Sequence, residues 1–355
     1  MNVIAMGYMG TGSSAIHHLL TEYENVSLAG PVGYEHVVFY MPHGLFDLEV
    51  TLLNNNLLFK SDAALNDFYD AMKRINDGNF GWFGSFKRLF GNQFMENVDE
   101  FMEGLINYSR KDANWFNDYR WERTAGGVAK DSIKKLLRRN VDKLGYRSRI
   151  VGDNRINYSF PTEDEFYLLA RKFVSKYMKM FTNEKDKVFV FDQLLKPQNL
   201  CKFTNYFESD TKCIVFSRDI RDMYISSKYV WSRMTGRIIL PDTPEEFVNF
   251  YSRFLKTEKM IEDSRILRMN FEDLVYFYQA SVEIIESFLG KELLGKHIAP
   301  QLHFKPDVSI KNTQVFRINP EFETEASYIS DMMPERIYRF PYVIHPKIEE
   351  TSDPA

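Results

Sequence analysis

Thiols are scarce in this 355-residue chain: Cys201 and Cys213 are the only two. Two cysteines cannot build a disulfide framework, and both sit in strand-like or helical segments, so they read as reduced core thiols. Neither a Cys-x-x-Cys nor a His-Glu-x-x-His spacing occurs, which leaves no familiar metal motif. No apolar run reaches the ~18 residues that a membrane-spanning helix needs. The formal net charge is −4, which excludes a nucleic-acid binder working by broad positive charge. A core strand starting at Val3 leaves no room for a signal peptide, so the cytoplasm is the expected compartment. What the chain does have is apolar material: 44% hydrophobic and 15% aromatic residues. That is enough to bury a sizeable core as one large domain, or as a domain with an insertion.

The chemistry begins in the first twenty residues. Val3-Ile4-Ala5-Met6 reads as a buried strand, Gly7-Tyr8-Met9-Gly10-Thr11-Gly12-Ser13-Ser14 as a glycine and hydroxyl turn, and Ala15 to Leu20 as a helix. Glycines let successive N–H groups point inward, and a helix start adds partial positive charge there, so the expected ligand is a phosphate or a sulfate. A nucleotide-triphosphate loop reads GxxxxGK followed by Ser or Thr. Here Ser13 follows Gly12, so the lysine is missing and no hydroxyl stands ready for magnesium. By itself the segment is also compatible with a tight turn that binds nothing.

A second segment raises the stakes of the first. Cys213-Ile214-Val215-Phe216 is strand-like, and Ser217-Arg218-Asp219-Ile220-Arg221-Asp222 leads into a helix that carries Ser226. A guanidinium at the strand end and a hydroxyl two helical turns on can grip one phosphate from two sides. Arginine suits this because its planar fork donates bidentately and keeps its charge. A solvated Arg/Asp helix start is the plain alternative.

Together these segments resemble the sulfotransferases that use 3′-phosphoadenosine 5′-phosphosulfate (PAPS), in the style of bacterial and carbohydrate-type members. Thr11-Gly12-Ser13-Ser14-Ala15-Ile16 resembles the family's 5′-phosphosulfate loop. Arg218 and Ser226, within R-D-x-R-D-x-x-x-S, match its 3′-phosphate motif in type and spacing. Phe271-Glu272-Asp273-Leu274-Val275 is similar to a Phe/Tyr-Glu-Asp-Leu segment that recurs there. Ser309-Ile310-Lys311-Asn312-Thr313 resembles the loop lying over the nucleotide. The resemblance covers roughly residues 1–45 and 187–315. It implies a three-layer P-loop-type α/β fold, with a central, mostly parallel sheet flanked by helices. It also implies PAPS as cosubstrate, held by Gly10, Thr11, Gly12, Ser13 and Ser14 at one end and by Arg218 and Ser226 at the other, with Lys311 or Asn312 closing over it.

One position departs from the family pattern. A basic residue often stands two places before the loop glycine, where this chain has Gly10. The bridging oxygens of the leaving group then need another cation, and Arg155, Lys196, Lys305 and Lys311 are the candidates. For the base that takes the acceptor's proton, Glu35 in Gly33-Tyr34-Glu35-His36-Val37 is first choice, with His36 and His43 in reserve. A non-catalytic nucleotide binder and, further off, a magnesium-dependent kinase stay open. The acceptor (glycan, lipid or another small molecule) and the oligomeric state are not legible.

Periodicity sets the organisation. Strands are expected at Val26–Leu28, Val37–Tyr40, Val188–Phe191, Cys213–Phe216 and Ile266–Met269, alternating with helices as in a parallel sheet covered on both faces. Residues 1–60 and 183–345 form the expected α/β core. Residues 61–182 read as a helical, aromatic insertion on the acceptor side, with helices at Ala63–Ile75, Asn97–Ser109 and Val128–Leu144. Trp82, Phe83, Phe86, Trp115, Phe116 and Trp121 there could stack on an acceptor or simply be core, and Arg147, Arg149 and Arg155 beside Asp153 and Asn154 could hold an anionic one. Thr162-Glu163-Asp164-Glu165 is a capping box opening a helix with Phe166, Leu169, Phe173, Tyr177 and Met180 at helical spacing. The acidic tail, 346–355, reads as disordered.

Overall fold

Short runs too apolar to be surface build the central sheet, and the chain returns to it repeatedly. A computed structural model describes residues 1–30, 34–57, 60–78, 85–111, 155–232, 236 and 240–346. The order begins β1 (Asn2–Gly7), α1 (Ser14–Leu20), β2 (Val26–Leu28), α2 (Leu45–Glu49), α3 (Lys60–Asp77), α4 (Phe86–Phe90), α5 (Gln93–Leu105). It continues β3 (Tyr108–Lys111), β4 (Arg155–Tyr158), α6 (Glu163–Lys179), β5 (Val188–Asp192), β6 (Thr211–Ser217), α7 (Ile220–Ile225) and α8 (Pro244–Lys256). β7 (Ile266–Asn270), α9 (Phe271–Tyr276), α10 (Tyr278–Leu289) and α11 (Pro320–Met332) follow, with shorter helical turns between the named elements. The expected helix Val128–Leu144, Trp82, Phe83, Trp115, Phe116, Trp121, Arg147, Arg149, Asp153, Asn154 and the tail beyond 346 lie outside the described residues.

Five strands form one parallel sheet in the order β2-β5-β1-β6-β7. β1 is central, with β5 and β6 on either side, so the loop after it opens at the carboxyl edge where the chain connects in both directions. Ligands of open parallel sheets sit in that crevice. Alternate residues feed two helical layers. Val3, Ala5, Val190 and Ile214 pack with α1, α9 and α10, through Ile16, Leu274 and Ile285. Ile4, Met6, Phe191 and Val215 pack with α3, α5, α6 and α8, through Phe68, Phe101, Phe173 and Phe247. Burying each of the Val, Leu, Ile, Phe and Met side chains stabilises the fold by about 1.5–3 kcal/mol. The α/β fold with a parallel sheet between helical layers is therefore as expected. Among the described residues no helix is long and apolar enough to cross a membrane.

Two local expectations need correcting. Val37–Tyr40 is a turn, not a strand, because the carbonyls of Val38 and Phe39 accept from Leu45 and Phe46 at the start of α2. Beside β5 the chain instead makes an isolated parallel bridge, Glu35 to Asp192. The helix expected at Asn97–Ser109 runs Gln93–Leu105, since Tyr108 onward pairs antiparallel with β4. The described parts of 61–182 are thus helical with one two-stranded ribbon, and they share the sheet's own core. The helix expected at Ala63–Ile75 is present as the longer α3, and the Thr162/Glu165 capping box is formed by both of its bonds. Phe86 is core: it lies edge-on to Phe94 at 4.7 Å and near Tyr177.

Candidate nucleotide cleft

The loop after β1 is shaped by two glycines with positive φ, Gly10 at +78° and Gly12 at +79°. Thr11 is buried, and its hydroxyl donates to the Phe216 carbonyl at 2.8 Å, tying the loop to the end of β6. Thr11 thus anchors the loop and is not among the residues lining the cleft. Among the described residues no carbonyl accepts from the amides of Ser13 and Ser14. Gly12, Ser14 and Ala15 line the floor of a cleft of about 370 Å³.

Arg218 enters the same cleft from the other side of β1. It follows β6 directly and is 9% exposed. One Nη donates to the Gly10 carbonyl at 3.4 Å, and the other to Ser226 Oγ at 3.0 Å and to the Asn312 carbonyl. Its Nε is buried with no partner among the described residues. The guanidinium lies 5.6 Å from the Phe271 ring centre. Ser226 closes α7 and opens a π-type turn, Ser226–Trp231. That turn also delivers Trp231 to the cleft wall.

The R-D-x-R-D motif explains itself in three dimensions. Asp219 caps α7 and holds Arg221 in a bidentate pair at 2.9 and 2.7 Å. Asp222 accepts from the Gln314 amide at 2.6 Å, which holds the Ile310–Asn312 turn over Arg218. Glu272, in the Phe-Glu-Asp-Leu segment, accepts from the Asp219 amide at 2.9 Å. Burial, with Asp219 nearby, pushes Asp222 up to about 7 and Glu272 up to about 8. Burial thus favours the protonated forms of Glu272 and, less strongly, Asp222, which lightens the negative charge under Arg218.

The far wall is the segment Leu302–Lys305 with His18 beside it. One buried carboxylate holds that wall. Glu22, just past α1, accepts from His297 Nε2 at 2.8 Å and from the amides of Gln301, His303 and Phe304 at 2.8–3.0 Å. Glu22→Ala should unpair these donors at about 1–3 kcal/mol for each that stays buried. A clearly lower denaturation midpoint is expected, and a variant as stable as the parent would contradict the clamp.

Gly10 has a structural cause for lacking a side chain. A Cβ there would lie 2.2 Å from the Trp231 ring, on a backbone with positive φ. Gly10→Lys, which introduces the basic residue expected from the resemblance, should therefore displace Trp231 and weaken any anion binding at the loop about tenfold or more, consistent with ~1–2 kcal/mol of backbone strain. A gain in affinity on titration would refute this.

On the β5 side a lysine is linked to the loop. Gln193 Nε2 donates to Ser13 Oγ at 2.6 Å, and Lys196 Nζ donates to Gln193 Oε1 at 2.9 Å. Lys196 also lies 3.9 Å from Glu35 Oε2 and over the Tyr40 ring at 4.8 Å. Burial lowers its pKa, and Glu35 and Asp192 act in the opposite direction. Of Lys196, Lys305 and Lys311, Lys196 is the one linked by hydrogen bonds to the loop among the described residues. Lys305 lines the cleft and is exposed. Lys311 is half-buried on the turn whose neighbour Asn312 lines the cleft. Arg155 belongs to β4, in the separate ribbon.

The candidate bases separate cleanly. Glu35 is about one-third exposed beside Lys196. His36 is fully buried, with Nδ1 at 2.6 Å from the Tyr177 hydroxyl and Nε2 at 2.7 Å from the Ala29 carbonyl. Burial drops it to about 4. Both ring nitrogens are engaged in the core, so His36 does not open on the loop. His43 is at the surface, 3.9 Å from Asp67 on α3. Sequence reasoning missed Gln193, Asp192, Trp231 and His303. Only their positions after strand ends or helices hinted at them, and many other residues share such positions.

No protein-family model matches the chain, and no curated protein matches it. Solved structures that align with it include the sulfotransferase domain from the Synechococcus PCC 7002 olefin synthase. That domain is 12% identical, with 96% of each chain covered and a TM-score of 0.35. The sulfotransferase domain from the curacin biosynthetic pathway is 14% identical, covering 96% of this chain and 98% of that one, again at a TM-score of 0.35. Likeness at this level decides nothing about chemistry, which has to come from the residues of the cleft.

Proposed function

We propose that this chain is a PAPS-dependent sulfotransferase, moving a sulfuryl group to a hydroxyl or amine of an acceptor. One observation carries the reading: Arg218 at the end of β6 reaches the Gly10 carbonyl while Gly12, Ser14, Ser226 and Arg218 line one cleft. A ligand with an anion at each end of a ribose fits such a pair of grips. The buried Arg218 Nε is a donor with no acceptor among the described residues, and Trp231 and Phe271 offer aromatic faces for a base.

In this reading Arg218 and Ser226 hold the 3′-phosphate, and the amides and hydroxyls of Ser13 and Ser14 hold the 5′ end. PAPS, when bound, supplies an electrophilic sulfuryl group on a phosphate leaving group. Lys196 offsets the charge that develops on that leaving oxygen, through the Gln193 bridge to Ser13. Glu35 takes the acceptor's proton, a contribution of about 10²–10⁴-fold for a positioned base. Selection against ordinary nucleotides follows from the Arg218–Ser226 grip.

The test is incubation with radiolabelled PAPS and a cell extract, alongside calorimetry with adenosine 3′,5′-bisphosphate and with ATP–magnesium. Binding of the bisphosphate plus a labelled product is expected. Binding without any transfer would leave a nucleotide-binding protein, and preference for ATP–magnesium would overturn the reading.

A further inference from the structure

We infer that Asp192 is a positioning residue that keeps its proton during donor binding, leaving Glu35 as the one negative charge beside Lys196. The inference rests on the sulfotransferase reading for the roles of Glu35 and Lys196. Its geometry does not.

Asp192 is the last residue of β5, and its side chain is 14% exposed. Oδ1 is buried without a hydrogen-bond partner among the described residues. Oδ2 is 3.6 Å from His17 Nδ1 on α1, beyond a good hydrogen bond. The backbone bridge to Glu35 sets the two carboxylates on neighbouring strand positions. Groups around it are few: Glu35 from the adjacent segment, Lys196 from the turn after β5, and His17 from α1, with His18 next along that helix. The His36 ring is committed to Tyr177 and Ala29, and the Tyr40 hydroxyl is buried without a partner among the described residues.

The charge count then decides. Two ionised carboxylates would face a single ammonium, linked through Gln193 to the loop that in the proposed reading receives a ligand with several negative charges. His17 cannot redress the balance, because burial drops it to about 3 and it stays neutral. An unpartnered carboxylate oxygen in a buried site is far costlier ionised than protonated. Burial, with Glu35 nearby, accordingly pushes Asp192 up to about 8. At neutral pH Glu35 and Lys196 form a balanced pair; above about pH 8 Asp192 ionises and the site turns net negative.

The experiment compares the parent protein with Asp192→Asn, which fixes the neutral form, and Asp192→Ser as a second neutral variant should the first fold poorly. PAPS affinity is measured by calorimetry from pH 7 to 9. The parent should lose roughly tenfold in affinity over that range, and the neutral variants should lack this slope. A parallel slope in parent and variants, or no slope in the parent, overturns the proposal. Unfolding free energy without ligand is measured from pH 4 to 9. A raised acid pKa means the folded state binds the extra proton, so its contribution to stability is lost as pH rises from the unfolded value near ~4 through about 8. The neutral variants should lack that loss relative to the parent, and identical profiles overturn the proposal. Should no protein bind PAPS at all, the functional reading fails, and the stability profiles still decide whether Asp192 keeps its proton.

Discussion

Arg218→Ala is expected to weaken adenosine 3′,5′-bisphosphate binding by roughly 30- to 5,000-fold, matching the ~2–5 kcal/mol lost when one partner of a buried charged contact is truncated. The ligand phosphate would lose a bidentate, permanently charged donor, and Ser226 alone cannot replace it. The fold should survive. Arg221 still neutralises Asp219 by its bidentate pair, and burial already raises Asp222 and Glu272 well above the ordinary carboxylate range. Removing the guanidinium therefore raises those acids further and leaves no naked buried anion. Arg218→Lys should fall between the two, since an ammonium supplies charge without the fork that now bridges Ser226, Asn312 and Gly10. Calorimetry with a thermal melt on each variant checks this. Affinity retained in a folded Arg218→Ala protein would mean that the phosphate binds elsewhere.

Glu35→Gln should lower turnover by about 10²–10⁴-fold while leaving the nucleotide grips intact. The amide keeps the shape of the side chain but cannot take a proton. Lys196 lies 3.9 Å away and stays tethered through Gln193 to Ser13, so the loop keeps its cation. Labelled-PAPS turnover with the identified acceptor, read beside bisphosphate affinity, separates the two effects. Undiminished turnover would move the base elsewhere, whereas loss of affinity would show that Glu35 holds the loop through Lys196. Lys196→Met should reduce turnover as well. Combined with Glu35→Gln it should cost less than the sum, because the two side chains share one charge balance.

The amino-acid sequence by itself determined the local pieces: apolar runs that must be strands, glycines that allow the loop its positive φ, and a guanidinium and hydroxyl eight residues apart. Each of these is a matter of conformation or spacing along a few residues, and such rules act without regard to the rest of the chain. Where it misread Val37–Tyr40, the backbone groups were claimed by α2, a competition that no alternation of apolar residues reports. Tertiary structure alone decided the rest. It set β1 between β5 and β6, so that Arg218 meets a carbonyl 208 positions earlier. It tied Lys196 through Gln193 to Ser13, pressed Trp231 over Gly10, and buried Asp192 beside His17. The reason is physical: strand order determines which loops converge, and burial determines which charges survive, and neither is encoded in any single stretch of residues.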